Sequence, residues 1–362
     1  MGQGAEPGEA VGGFIASRCF RLFTLVLAVT NCAPARAGSV AATSGGQATP
    51  IIIAHRGASG YRPEHTLAAY ELAIRQGADF IEPDVVITKD GVLVARHEHR
   101  LDETTDVAER FPDLRTVKRF GNDSATGWFV EDLTLAQLRL LRARERLPSR
   151  SHAYDGQFGI PTLDEVLALV LRMSGETGRV IGVYPETKSP SYFRSIDLPL
   201  EEKLIAALRR HWSDLADAPV LVQSFEVENL KRLRSMAPVR LIQLLDAQGA
   251  PADAGGTTTY ATLASAAGLR GIARYAHGVG ANKRLIIPVG PDGRLLPPTS
   301  VVADAHAAGL IVHVWTFRSD APFFAAQYGG DPGAEYRQFA ALGIDGVFSD
   351  FPDHAAAALR RR

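Results

Sequence analysis

Residues 51–87 read IIIAHRGASGYRPEHTLAAYELAIRQGADFIEPDVVI. β-Branched residues crowd Ile51–Ala54, a helical period runs over Thr66–Gln76, and apolar residues return over Phe80–Ile87. The stretch therefore reads as strand, helix, strand. The unit recurs down the chain. Further strands are expected at Val92–Arg96, Val180–Pro185, Val220–Gln223, Val239–Leu244, Ala276–Val279, Leu310–Thr316 and Gly346–Phe348. Amphipathic helices are expected at Glu201–His211, Val227–Ser235 and Ser300–Ala308. Such alternation predicts parallel strands joined by helical crossovers, and eight units close a TIM (β/α)8 barrel, a fold of ~250 residues. Nine strands are one too many for that ring. Lys89-Asp90-Gly91 holds the Asp-Gly hairpin signal, which assigns Val92–Arg96 to an antiparallel strand outside the count. Residues 99–159 break the rhythm with charge, Pro112 and several glycines. They read as a small insertion on the barrel mouth, carrying a helix near Leu135–Arg146.

The chain of 362 residues is 46% hydrophobic and 22% charged, the balance of a folded globular body. Its 39 basic and 40 acidic residues leave a net charge of −1, without the basic footprint of a nucleic-acid binder or an electrostatic membrane anchor. Cys19 and Cys32 are its two cysteines, which excludes a disulfide scaffold and a Cys-rich zinc site. Arg18 and Arg21 precede the apolar run Leu22–Thr30 and then Ala35-Arg36-Ala37. Basic, apolar and small-residue regions in that order form a secretory signal, and the run is short of the ~20 apolar residues of a bilayer span. Residues 1–37 are thus expected to be removed on export to the periplasm or the medium, taking both cysteines with them and leaving no membrane span. Lipoprotein anchoring at Cys32 is the second choice. Residues 38–50 read as a flexible lead-in, and 51–362 as one barrel domain.

In a barrel, strand C-termini face the active-site rim. His55-Arg56-Gly57 follows the first strand and offers a proton carrier beside a fixed cation. Glu82-Pro83-Asp84 ends the second. Period two puts both carboxylates on one face, where they repel each other unless a cation or proton intervenes; a hard divalent ion with oxygen ligands meets that need. On their own, such an acidic pair is usually solvated, but here Phe80-Ile81 and Val85-Val86 flank it. His97 follows the hairpin strand and returns to the same rim, with His99 as a stand-in. After another strand, Glu186 and Lys188 again share a face. Two histidines, three carboxylates and two cations suit phosphodiester chemistry, because sugar hydrolysis needs paired carboxylates without paired cations.

These residues, in this order, resemble the glycerophosphodiester phosphodiesterase family, and especially its periplasmic bacterial branch. The resemblance runs from about Ile51 to the C-terminus. It is carried by HRGASGYRPEHT (55–66), the E-x-D of Glu82 and Asp84, and His97 with LDETTDVAERFP (101–112). It continues through YPETK (184–188), Gln223-Ser224-Phe225, Val314-Trp315-Thr316 and SDFPD (349–353). It implies a phosphatidylinositol-phosphodiesterase-like TIM barrel that hydrolyses deacylated phospholipids to sn-glycerol 3-phosphate and an alcohol, by way of internal attack from the glycerol 2-hydroxyl. By resemblance, the acid and base fall on His55 and His97, and the metal ligands on Glu82, Asp84 and Glu186. The metal is expected to be calcium, with magnesium as the second candidate. Arg56 and Lys188 match phosphate-binding positions, while Phe225 and Trp315 match apolar walls near the glycerol. Two departures stand out: Glu98 where many members have Asp, and Pro83 in the middle of E-x-D. Two other readings are a phospholipase-D-like enzyme on intact lipids and a non-catalytic exported surface-binding protein. The first would want an exposed apolar rim, whereas the insertion is polar; the second would show loss of a histidine or metal carboxylate, and all five are present.

Overall fold

The computed structural model describes residues 49–120, 123–256, 258–323 and 325–360; the expected signal at 1–37, most of the lead-in and both cysteines lie outside them. Strand β1 (Ile51–His55) leads to the helix Leu67–Arg75, whose first turn is capped by the Thr66 hydroxyl accepting from Ala69 N–H. The expected strand Phe80–Ile87 is present in two pieces, β2 (Phe80–Glu82) and β3 (Asp84–Ile87), since Pro83 between them has no N–H to give a ladder. β2 lies parallel to β1, and β3 turns back antiparallel into β4 (Leu93–Ala95), as the Asp-Gly signal predicts. The insertion adds a separate hairpin of β5 (Thr116–Phe120) and β6 (Asp123–Gly127).

Pro185 then divides the next strand as Pro83 does, into β7 (Gly182–Val183) beside β2 and β8 (Glu186–Thr187) beside β3. The remaining strands are β9 (Leu221–Ser224), β10 (Arg240–Leu245), β11 (Gly278–Asn282), β12 (Ile311–Phe317) and β13 (Gly346–Ser349). Each pairs parallel with the next, β8 meets β9 at Glu186 opposite Gln223, and β13 returns to β1 with Gly346 opposite Ile51. With each proline-split strand taken as one stave, the eleven-stranded sheet is a closed ring of eight parallel staves plus the antiparallel β4. Within the ring, Ile53, Tyr184, Leu221, Ile242 and Phe348 form a buried plug, and the Tyr184 hydroxyl shares a 2.8 Å hydrogen bond with His313 Nδ1. The larger core lies between the staves and the outer helices, such as Leu163–Thr177 and Glu201–His211. Among the described residues no helix is long and apolar enough to cross a membrane.

Two expectations need correction. The insertion helix runs only over Leu135–Leu138, opened by a Thr134–Gln137 capping box. It stops because the chain beyond it pairs elsewhere: Arg142 N–H donates to Asp106 Oδ1 at 2.6 Å and Ala143 bridges Thr105. The strand expected at Ala276–Val279 lies at Gly278–Asn282 instead. Its glycines, poor strand formers, hide it in the sequence. A Cβ on Gly278 would sit 2.7 Å from the Ile311 carbonyl oxygen, so close packing of neighbouring staves requires glycine there.

Candidate active site

The ends of β1, β2, β3, β4 and β8 bring polar residues to one rim. His55 closes β1 and is buried, with Nδ1 2.6 Å from Asp350 Oδ1 just beyond β13. Arg56 turns away in the left-handed region at φ 61°, a conformation non-glycine residues seldom adopt. That turn lets its N–H donate to Glu82 Oε2 at 2.9 Å while Nη1 meets both Glu64 oxygens at 3.0 and 3.1 Å. Asp84 is held behind the rim by His65 Nε2 at 2.9 Å, and His65 Nδ1 is fixed in turn by the Tyr70 hydroxyl at 2.8 Å. Lys188 Nζ lies 2.8 Å from Glu186 Oε1. His97 stands partly open to solvent with Nδ1 2.7 Å from Glu98 Oε1.

Burial, followed by the nearby Arg56 cation, pushes His55 down to about 4 against the pull of Asp350. Burial and then Arg56 and Lys188 bring His97 to about 4 as well. Both rings are therefore neutral at pH 7. Among the carboxylates the environments diverge. Burial and then repulsion from Asp84 and Glu186 hold Glu82 well above the usual range. Burial raises Glu186 to about 8, with Lys188 opposing and Asp84 adding. Burial would raise Asp84 too, but Lys188 and the His65 hydrogen bond reverse this and keep it ionised.

Ligand oxygens of Glu82, Asp84 and Glu186 lie within 4.8 Å of one another, a separation that two oxygens on one ion at roughly 2.3–2.6 Å can span. Asp84 Oδ1 is buried with no hydrogen-bond partner, which a native carboxylate seldom tolerates unless a ligand completes it. An all-oxygen trio with one orphaned atom and two carboxyls whose proton affinity is raised by burial first and by their acidic neighbours second fits a hard divalent cation.

His55, Arg56, Glu82, His97, Glu186, Lys188, Phe225 and Trp315 line one cavity of ≈ 240 Å³, and Asp84 lies immediately behind Glu82 and Glu186. Phe225 and Trp315 pack edge to face at 5.7 Å. His99 is not on this wall; it sits among Phe120, Phe129 and Tyr192 with Nδ1 3.4 Å from Glu131. Sequence reasoning assigned no role to Asp350, although it directly follows β13 as His55 closes β1. Nor did it assign one to Gln223, whose Nε2 donates to Glu82 Oε1 at 3.1 Å, or to Arg150, which brings the insertion onto Asp350 Oδ2 at 2.6 Å. For Asp350 the available signal was its place one residue after a strand; Arg150 offered none.

The glycerophosphoryl diester phosphodiesterase family model matches residues 55–354. Over 352 residues the chain is 35% identical to a glycerophosphodiester phosphodiesterase of Arabidopsis thaliana, covering 91% of this chain and 93% of that one. A glycerophosphodiester phosphodiesterase of Haemophilus influenzae is 30% identical over 342 residues, covering 86% and 90%. The crystal structure of glycerophosphodiester phosphodiesterase from Agrobacterium tumefaciens superposes with a TM-score of 0.55 at 26% identity, covering 85% of this chain and 99% of that one.

Proposed function

Because the chain belongs to the glycerophosphoryl diester phosphodiesterase family, we propose that it hydrolyses glycerophosphodiesters to sn-glycerol 3-phosphate and an alcohol in this cavity. The observation that carries the reading is the meeting of two neutral imidazoles, two cations and a carboxylate trio around ≈ 240 Å³. That volume falls below the roughly 300–1,000 Å³ of drug-sized ligand sites and suits a deacylated phosphodiester better than an intact lipid. Arg56 and Lys188 offset the diester's charge and orient it. Hydrolysis requires one proton taken from the attacking oxygen and one delivered to the leaving oxygen. We assign these tasks to His55 and His97, with the support that each rests Nδ1 on a carboxylate, Asp350 or Glu98, leaving Nε2 without a partner among the described residues. The imidazole that serves as acid takes up its proton with the anionic substrate bound, since a nearby negative charge raises its affinity for one. Glu82, Asp84 and Glu186 would hold a divalent cation, calcium first and magnesium second, and such an ion supplies Lewis-acid neutralisation of the phosphoryl oxygens.

The test is release of glycerol 3-phosphate from glycerophosphocholine by wild type, His55→Ala and His97→Ala. Each variant is expected to lose ~10²–10⁴-fold in kcat while unfolding as cooperatively as wild type. Retention of more than about a tenth of the rate in either one would remove that histidine from the chemistry. Export by way of residues 1–37 belongs to the same proposal, and the N-terminal residue of the secreted protein, expected at Gly38, tests it.

A further inference from the structure

The cavity wall has two unlike arcs. From β1 to β8 it is charged, with His55, Arg56, Glu82, His97, Glu186 and Lys188; from β9 to β12 the rings and methyls of Phe225, Leu244 and Trp315 stand among the neutral polar Gln223 and Thr316, with Arg318 just beyond β12. One carboxylate stands in the second arc. Asp246 directly follows β10 and shares the inward face of that strand with Leu244, two residues earlier. Its Oδ1 accepts from Asn282 Nδ2 at 2.8 Å and from Ala247 N–H at 2.6 Å, while Oδ2 has no partner among the described residues. Trp315 beside it is itself fixed, donating Nε1–H to the Gly280 carbonyl at 2.8 Å.

An aimed carboxylate on this arc repels a phosphate and lies outside the metal-binding trio. Its fitting partners are hydroxyl donors on a short carbon skeleton, or a cation. The neighbouring space separates these two. His97 also lines a second cavity of ≈ 310 Å³ together with Glu98, His99 and Phe129. A head group departing past His97 has its room there, which leaves the glycerol against the β9–β12 arc. Resting on the phosphodiesterase reading, we infer that Asp246, oriented by Asn282, is the specificity-determining residue that accepts hydrogen bonds from the glycerol hydroxyls.

Hydrogen bonds to a charged group predict a loss of about 10- to 100-fold when the acceptor is removed. The experiment compares wild type, Asp246→Asn and Asp246→Ala on glycerophosphocholine and glycerophosphoinositol. It also measures the affinity of each protein for sn-glycerol 3-phosphate and for inorganic phosphate, which lacks the glycerol. The expected order of kcat/KM is wild type, then Asn, then Ala, with equal losses on both diesters. Affinity for glycerol 3-phosphate falls in parallel, while that for phosphate stays within about twofold. A loss confined to the choline substrate would assign Asp246 to a cationic head group and overturn the inference. So would equal losses of phosphate affinity, or no loss at all. A wild type that releases no glycerol 3-phosphate from either diester would instead strike the phosphodiesterase reading.

Discussion

Calcium binding to the carboxylate trio is expected to expel protons, and the number follows from the site. Burial holds Glu186 at about 8, so at pH 7 roughly nine-tenths of that carboxyl is protonated. Glu82, raised by burial and by its two acidic neighbours, retains its proton too, whereas Asp84 is already ionised. A metal takes carboxylates in the ionised form. Binding at pH 7 therefore releases between about one and two protons. Lowering the pH from 7 to 6 should then weaken calcium by about 10- to 100-fold, or ~1.4–2.8 kcal/mol, while above pH 9 the Glu186 contribution flattens. Calorimetric titration of the metal-free protein in two buffers with different ionisation heats reads the proton count directly. Glu186→Gln, which cannot ionise, should release fewer protons and bind more weakly. Buffer-independent heats together with an affinity unchanged from pH 6 to 8 would refute the reasoning, for they would mean that the trio is ionised before the ion arrives.

Asp350→Asn should lower kcat by ~10²–10⁴-fold, because the amide no longer holds His55 in its working tautomer. It should also cost about 3–5 kcal/mol of stability by leaving Arg150 and Arg318 beside a neutral group; denaturant melts and a rate within tenfold of wild type are the respective checks. Burial holds His313 at about 4, with Asp345 a weaker opposing influence. The unfolded chain gains this proton from pH ~6.5 downward and the folded chain only near 4, so stability is kept above 6.5 and lost as the pH falls between them. That loss is ~1.4 kcal/mol per unit, and His313→Gln should flatten this part of the melt profile. Gly182→Ala places a methyl group on the Phe80 ring inside the barrel wall; it should destabilise by ~1–3 kcal/mol, and an unchanged denaturation midpoint would show that the ring swings aside freely.

What the sequence could reveal here depended on how far each interaction reaches along the chain. Strand, turn and helix signals act within a few residues, so the alternation, the Asp-Gly hairpin and the paired carboxylates were legible. Thr134 shows both the power and the failure of local signals. Its capping box starts a helix as its neighbours dictate, and Asp106, thirty-six residues before Arg142, is among the contacts that stop it. The barrel adds one long-range rule that needs no coordinates: closure turns eight strand ends into one rim. His55, Glu82, Glu186, Phe225, Asp246, Asn282, Arg318 and Asp350 each lie at or within a residue of the end of a different stave or stave segment. Applied evenly, that rule would have singled out Asp350 and Asp246 beside the histidines. It stopped short because the expected strand at Val239–Leu244 ends a residue early and the glycine-rich β11 was misplaced, which hid Asn282 and with it the reason for an acid at 246. Arg150 lies beyond such a rule, since it comes from the insertion and meets Asp350 two hundred residues away; only the folded chain could have paired them.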